Sequence, residues 1–158
     1  MMEAIISSPI GNLLLVEADN QLVEVSFTER KIAPVPKNDV LSAAKIQLDE
    51  YFGGQRQEFT LPIKPEGTGF QQKVWQELML IPYGSTISYQ EVANRLGDPK
   101  CFRAAATANG KNPIPIIIPC HRVIGSSGEM TGYAGGIQRK KDLLALEGAE
   151  VMNQMDLF

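Results

Sequence analysis

Histidine occurs once and cysteine twice in the 158 residues, and each scarcity removes a class of protein. One His and two Cys fall short of the roughly four ligands a structural zinc site takes. A single disulfide between Cys101 and Cys120 would be out of place in a reducing compartment, so both thiols are read as free. No metal and no cofactor are expected. Long apolar runs are missing too: none approaches the ~18 residues that cross a bilayer. The opening MMEAIISSPIGN has no basic segment of the kind that begins a secretory signal. These absences point to a cytoplasmic protein with no membrane partner. Excess positive charge is also lacking, since the net charge is -3, which argues against a broad nonspecific grip on nucleic acid. The deficit sits in residues 1–65, with 6 Lys+Arg against 9 Asp+Glu, whereas residues 66–150 carry 9 against 8. The second half could meet a phosphate backbone locally, with strong salt dependence.

What is present suits a packed core: 44% of the residues are hydrophobic and 21% charged, enough for one domain or two small ones. The first third alternates as half-buried strands do. AIISS, NLLLVEA and QLVEVSF, separated by SPIG and ADN, predict a small antiparallel meander. DVLSAAKIQLDEYFGG places Val40, Ala44, Leu48 and Phe52 at helical spacing and stops at Gly53 and Gly54. EFTLPI reads as a last strand before the linker KPEGTG, which puts a domain boundary between 1–65 and 66–158.

Beyond the linker the pattern turns to short helices. FQQKVWQELMLI sets Phe70, Val74 and Leu78 on one face up to the turn Pro82-Tyr83-Gly84. Ser88 and Glu91 predict a capping box for YQEVANRL, closed by Gly97. Asp98 and Pro99 read as N-cap and first residue of KCFRAAATA, which ends at Asn109-Gly110. Two short helices about a tight turn are a helix-turn-helix pattern, found in DNA-binding proteins and in ordinary helix packing alike. The third helix has little bulk beyond Arg103, so it can approach another surface closely. In the last helix, IQRKKDLLALEG, Arg139, Lys140 and Lys141 near the start and Glu147 at the end oppose the macrodipole, as surface charges often do. The expected class is α+β: an N-terminal α/β domain with an antiparallel sheet and a mainly helical C-terminal domain.

The chemistry concentrates in IPIIIPCHRVIGSSG. A thiol of pKa ~8.5 needs a base or a positive field to become a ready nucleophile, and a neighbouring imidazole oriented by a carboxylate supplies one. Cys120, His121 and Glu147 are the one such set the sequence can build. Adjacency alone does not establish contact, because successive residues in a strand point to opposite faces.

IPCHRV, with NPIPI before it, SSGEMTGYAGG after it, LLALEG at the end, and VWQEL, IPYGSTISYQEVA and FRAAATANGKNP upstream, resembles the O6-alkylguanine-DNA alkyltransferases. The likeness covers nearly all of residues 68–148. The first third is similar to that family's N-terminal domain in layout, without the zinc set of some members, as in bacterial forms lacking a regulatory extension. The resemblance implies a ribonuclease H-like N-terminal layout and a winged-helix-like C-terminal domain. It also implies a monomer that acts on duplex DNA containing O6-alkylguanine, and on O4-alkylthymine, and transfers the alkyl group once and irreversibly to Cys120 after base flipping.

In that scheme His121 takes the thiol proton through a water, Glu147 holds the imidazole, Asn112 fixes the loop behind the nucleophile, and Tyr89 donates a proton toward guanine N3. Arg103 fills the hole left by the flipped nucleotide, with Ala104, Thr107, Ser88 and Gln90 also at the DNA. The carbonyls of Cys120 and Val123 read the guanine amino group, and Tyr133, Ala134 and Gly135 wall the pocket. Ala134 stands where some relatives have Ser, and Cys101 is an extra thiol. Two other readings stay open: a noncatalytic lesion sensor of the same fold, against which the intact PCHRV counts, and a Cys/His hydrolase, which would need an oxyanion site the sequence does not single out.

Overall fold

Asp19 and Asn20 both adopt left-handed backbone, φ 51° and 63°, as a two-residue hairpin turn requires to match the twist of its strands. They join β2 (Asn12–Ala18) to β3 (Gln21–Thr28), and β1 (Met2–Ile6) pairs with the other edge of β2 in an antiparallel sheet of order β1-β2-β3. Its register sets Ala4 opposite Leu15, Ile6 opposite Leu13, and Leu15 opposite Val25, so these five share one face, and all are buried. Helix α1 (Asp39–Phe52), capped by Asn38 on Leu41 N, packs on the strands with Leu41, Ala44, Leu48 and Tyr51 fully buried. Tyr51, rather than the expected Phe52, is the core aromatic. Steps of four residues drift about 40° on a 3.6-residue helix, so after Val40, Ala44 and Leu48 the next core position comes three residues on.

EFTLPI forms no strand. Ile63 alone bridges to Leu22, through Leu22 N–Pro62 O at 2.8 Å and Lys64 N–Leu22 O at 2.9 Å. Pro62 has no N–H to give a ladder. Thr60 is engaged by the Gln47 amide, which donates to its hydroxyl and accepts from its backbone N–H, both at 2.9 Å. The computed structural model describes residues 1–130 and 132–149, and it divides into two units, Met1–Glu66 and Gly67 onward.

In the second unit Thr68 caps α2 (Gly69–Leu78) with a capping box the sequence reading missed: Thr68 Oγ1 accepts from Gln71 N, and Gln71 Oε1 accepts from Thr68 N. Val74, Trp75 and Leu78 face the core, while Phe70, in the first turn, stays 37% exposed. β4 (Ile87–Ser88) leads into α3 (Tyr89–Arg95), where the expected box is half made. Ser88 Oγ accepts from Glu91 N at 3.0 Å, but Glu91 turns its carboxylate to Arg95 Nε at 2.9 Å. After the left-handed Gly97, Asp98 caps a single 3₁₀ turn, Pro99–Cys101, and not the α-helix itself. Helix α4 (Phe102–Gly110) begins one turn later than expected and packs on α2 and α3. β5 (Val123–Ile124) pairs parallel with β4, and α5 (Ile137–Leu146) closes the unit. Among the described residues no helix is long and apolar enough to cross a membrane.

Candidate active site

The nucleophile is presented by a constrained loop. Ile116 holds φ 75°, a left-handed conformation that costs a β-branched residue roughly 1–3 kcal/mol and persists only where its surroundings impose it. Pro119, at φ -81° and ψ 64°, closes an inverse γ-turn in which Cys120 N donates to Ile118 O at 2.8 Å. Proline's fixed φ suits that turn. A 3₁₀ turn, Cys120–Arg122, then carries thiol, imidazole and guanidinium in succession, all buried. Asn112 braces the loop from behind: its Nδ2 donates to Ile118 O at 2.8 Å and its Oδ1 accepts from Ile114 N at 2.9 Å.

Burial pushes the Cys120 thiol up to about 11, against the opposing pull of the Asn112 amide and the Lys140 charge. The thiol is therefore protonated at neutral pH and needs a base. His121 is completely buried, with Nε2 2.7 Å from Glu147 Oε2. Burial holds its pKa below the ordinary imidazole value although the Glu147 carboxylate pulls it up. It is then a neutral ring that donates Nε2–H to the carboxylate, which leaves the Nδ1 lone pair as its basic site. Nδ1 has no hydrogen-bond partner among the described residues.

Glu147 itself is held by more than the histidine. Arg122 grips it with two bonds, Nε to Oε1 at 2.8 Å and Nη2 to Oε2 at 2.9 Å, while Nη1 donates to Ile81 O at 2.7 Å. Gly84 N reaches Oε1 at 3.3 Å. The PYG turn needs glycine here: φ is 79°, and a Cβ would stand 3.1 Å from the Glu147 carbonyl. The sequence reading gave His121 as the carboxylate's partner and missed Arg122. A cation directly after His121 in the same motif was the available signal.

Lys140 corrects the expectation of a surface charge at the start of α5. It is fully buried, and its Nζ donates to Val123 O at 2.6 Å and lies 3.5 Å from the Tyr89 hydroxyl. Burial lowers its pKa to about 8, partly offset by Cys120. An ammonium thus sits among three residues singled out from the sequence: Cys120, Val123 and Tyr89. Tyr133 is buried too, and burial keeps its phenol neutral by raising its pKa far above the ordinary value. Gly132, at φ 68°, makes room for Tyr89, since a Cβ there would come 3.1 Å from the hydroxyl. Ala134 is exposed and Gly135 half-buried; the Gly135 carbonyl accepts from Arg139 Nη1 at 3.4 Å.

The expected DNA-facing residues are exposed or half-buried. Arg103, Ala104 and Thr107 are exposed on α4, opposite the buried Ala105 and Ala108. Phe102, not singled out from the sequence, is 40% exposed, and the Arg103 guanidinium stands 5.7 Å from its ring centre. Ser88 is half-buried as the cap of α3, and Gln90 donates to Pro99 O at 2.9 Å, tying α3 to the turn that precedes α4. Cys101 is half-buried just ahead of α4. Among the described residues no group of three His, Cys, Asp or Glu side chains is placed to hold a metal.

Fold and site together define a class: an α+β protein in which a buried thiol is backed by an imidazole, a carboxylate and a guanidinium, and a helix of small residues in the same unit faces solvent. Within that class the chain belongs to the 6-O-methylguanine DNA methyltransferase family, matching its ribonuclease-like domain over residues 1–65 and its DNA-binding domain over residues 69–149. It is 46% identical over 156 residues to the methylated-DNA–protein-cysteine methyltransferase of Mycobacterium leprae, covering 96% of this chain and 94% of that one. To the protein of the same name from Methanosarcina acetivorans it is 45% identical over 155 residues, 94% and 99% of the two chains. The solved O6-methylguanine methyltransferase of Mycobacterium tuberculosis superposes with a TM-score of 0.83 at 46% identity over 92% of each chain. A structure of that organism's OGT in complex with DNA gives 0.84 at 47% identity, again over 92% of each chain.

Proposed function

We propose that this protein repairs duplex DNA by direct reversal, moving the alkyl group of O6-alkylguanine, and of O4-alkylthymine, to Cys120 in one irreversible step. The observation that carries this reading is the buried Cys120 thiol followed directly by a neutral His121 whose Nε2–H is committed to Glu147. With guanine flipped into the site, Cys120 Sγ attacks the alkyl carbon in line with the C–O6 bond. The S–C bond forms as the C–O6 bond breaks. The thiol proton passes through a bridging water to His121 Nδ1, and the electron pair released into the purine is neutralised by a proton from Tyr89 toward N3. Guanine leaves intact, and the thioether that remains is too poor a leaving group for turnover.

In the same reading the carbonyls of Cys120 and Val123 receive the guanine amino group, and Tyr133, Ala134 and Gly135 wall the base. Arg103 enters the vacated stack, with Ala104 and Thr107 allowing close approach and Ser88 and Gln90 near the backbone. Lys140 supplies positive charge beside the developing thiolate. The first 65 residues serve as a scaffold, and the protein acts as a cytoplasmic monomer.

Intact-mass spectrometry with peptide mapping tests the assignment. Mixing with a duplex carrying one O6-methylguanine should add a single methyl to Cys120, stop at one equivalent, and leave Cys120→Ala unchanged. Repeated turnover, or tight binding of the lesion with no mass gain, would overturn the reading.

The pH profile separates base-assisted attack from attack by a preformed thiolate. With Cys120 near 11, only about one molecule in ten thousand holds a thiolate at pH 7, and a rate limited by it would climb tenfold per pH unit. With His121 as base the rate levels off once the ring is neutral. Its lowered pKa places that below the ordinary 6.5, and loss of the Lys140 charge ends the plateau near 8. Single-turnover transfer rates should therefore be nearly flat between pH 6.5 and about 7.5, falling on the acid side as the imidazole protonates and dropping by about half near pH 8 as the ammonium is lost. A steady tenfold rise per unit across that window would exclude His121 as the base.

A further inference from the structure

Asn109 is a buried polar residue to which the mechanism above gives no task. It lies at the end of α4, 2% exposed, and its Nδ2 donates to the carbonyl of Cys120 at 3.3 Å. Its Oδ1 is buried and has no hydrogen-bond partner among the described residues. Flipping the amide would set Oδ1 against the Cys120 carbonyl oxygen, so the donor orientation is the one the chemistry favours. A buried amide with an orphaned acceptor is a poor choice for stability, since a leucine of similar size would fill the space with no polar atom to satisfy.

The neighbouring contacts show what the amide acts on. Trp75 Nε1 donates to Ala108 O at 2.9 Å and anchors this end of α4 to α2. Asn112, three residues further on, holds the Ile118 carbonyl, and its amide opposes the rise in the Cys120 pKa. Two asparagines therefore brace the nucleophile's loop from the same stretch of chain, one at the Ile118 carbonyl and the other at the Cys120 carbonyl.

We propose that Asn109 is a positioning residue that determines specificity: by donating to one lone pair of the Cys120 carbonyl it fixes the other toward the 2-amino group of the flipped purine. The inference rests on the alkyl-transfer reading, in which that carbonyl receives the amino group. A rigid, half-satisfied acceptor rewards a base that brings a donor and penalises one that does not. Released from Asn109, the carbonyl can turn away and the distinction fades.

The test compares single-turnover methyl transfer from two duplexes, one containing O6-methylguanine and one O6-methylhypoxanthine, which lacks the 2-amino group. Taking the ratio of the two rates within one preparation cancels any loss of folded protein. In Asn109→Leu and Asn109→Ala the guanine-to-hypoxanthine ratio should fall about tenfold, the order expected from one misplaced hydrogen bond. Trp75→Phe removes the bond to Ala108 O at the same helix end but leaves the Asn109 amide in place, and it should lose stability but keep the wild-type ratio. Unchanged ratios in both Asn109 variants would reduce Asn109 to packing, and an equal fall in Trp75→Phe would make the effect a general loosening. A wild type that methylates Cys120 equally fast from both duplexes would overturn the Asn109 role by removing the carbonyl contact it serves, while leaving alkyl transfer intact.

Discussion

Glu147→Gln is expected to slow methyl transfer to Cys120 about a thousandfold, within the range of 10²–10⁴ that a positioned general base contributes. The substitution conserves shape and changes only where the protons sit. In the wild type His121 Nε2 donates to Glu147 Oε2 at 2.7 Å and the Arg122 guanidinium donates to both carboxylate oxygens. An amide offers one acceptor and one donor group where the carboxylate offered two acceptors. Oε1 meets two obligatory donors, Arg122 Nε and Gly84 N, whereas at Oε2 the imidazole can change tautomer and accept, so the amide oxygen takes the Oε1 side and the amide NH₂ faces the imidazole. The ring then accepts at Nε2 and carries its proton on Nδ1, the nitrogen that should receive the thiol proton. Base and substrate proton meet donor to donor. The check is the single-turnover rate on methylated duplex, normalised to the fraction of protein that eventually reacts. A loss below tenfold would mean that the His121 tautomer does not govern transfer.

Arg122→Leu should show its effect in stability before chemistry. Glu147 is fully buried at its side chain and Arg122 nearly so, and removing one partner of such a pair costs roughly 3–5 kcal/mol because the other charge stays behind uncompensated. For a chain of this size that corresponds to a fall in Tm of roughly 10 °C. The Ile81 carbonyl also loses its donor, so the double variant Arg122→Leu/Glu147→Leu should recover only part of the loss. Thermal melts of wild type, both single variants and the double variant decide this. Equal stability of Arg122→Leu and wild type would mean that water replaces the guanidinium and that the pair is not buried in solution.

Much of this architecture is legible in the chain because it follows from local rules. The alternation of NLLLVEA and QLVEVSF, the hairpin turn at ADN and the cap at Ser88 each depend on residues a few positions apart. Errors arose where a local signal met a competing partner. Phe52 yielded to Tyr51 through helical drift. EFTLPI lost its strand because proline breaks the ladder and Gln47 holds Thr60. The carboxylate of Glu91 found Arg95 before it could close its capping box.

The site divides along the same line. One imidazole, one thiol beside it and a carboxylate at the end of the last helix were enough to nominate Cys120, His121 and Glu147 from sequence. Lys140 was unreadable: in IQRKKD it is one basic residue among three. Only packing buries it, while Arg139 and Lys141 stay half-buried, because its position on α5 falls on the face shared with Leu143 and Leu144 and the Val123 carbonyl accepts its ammonium there. Arg122 and Asn109 belong to the same category. Their roles depend on which carbonyl or carboxylate a distant segment brings within 3.5 Å, from Glu147 25 residues downstream of Arg122 to Cys120 11 residues beyond Asn109. The sequence by itself determined the reactive group and the elements that carry it, since those follow from residue type and short-range spacing. The tertiary structure alone decided the protonation of that group and the direction its carbonyl faces, since burial and long-range hydrogen bonds set both.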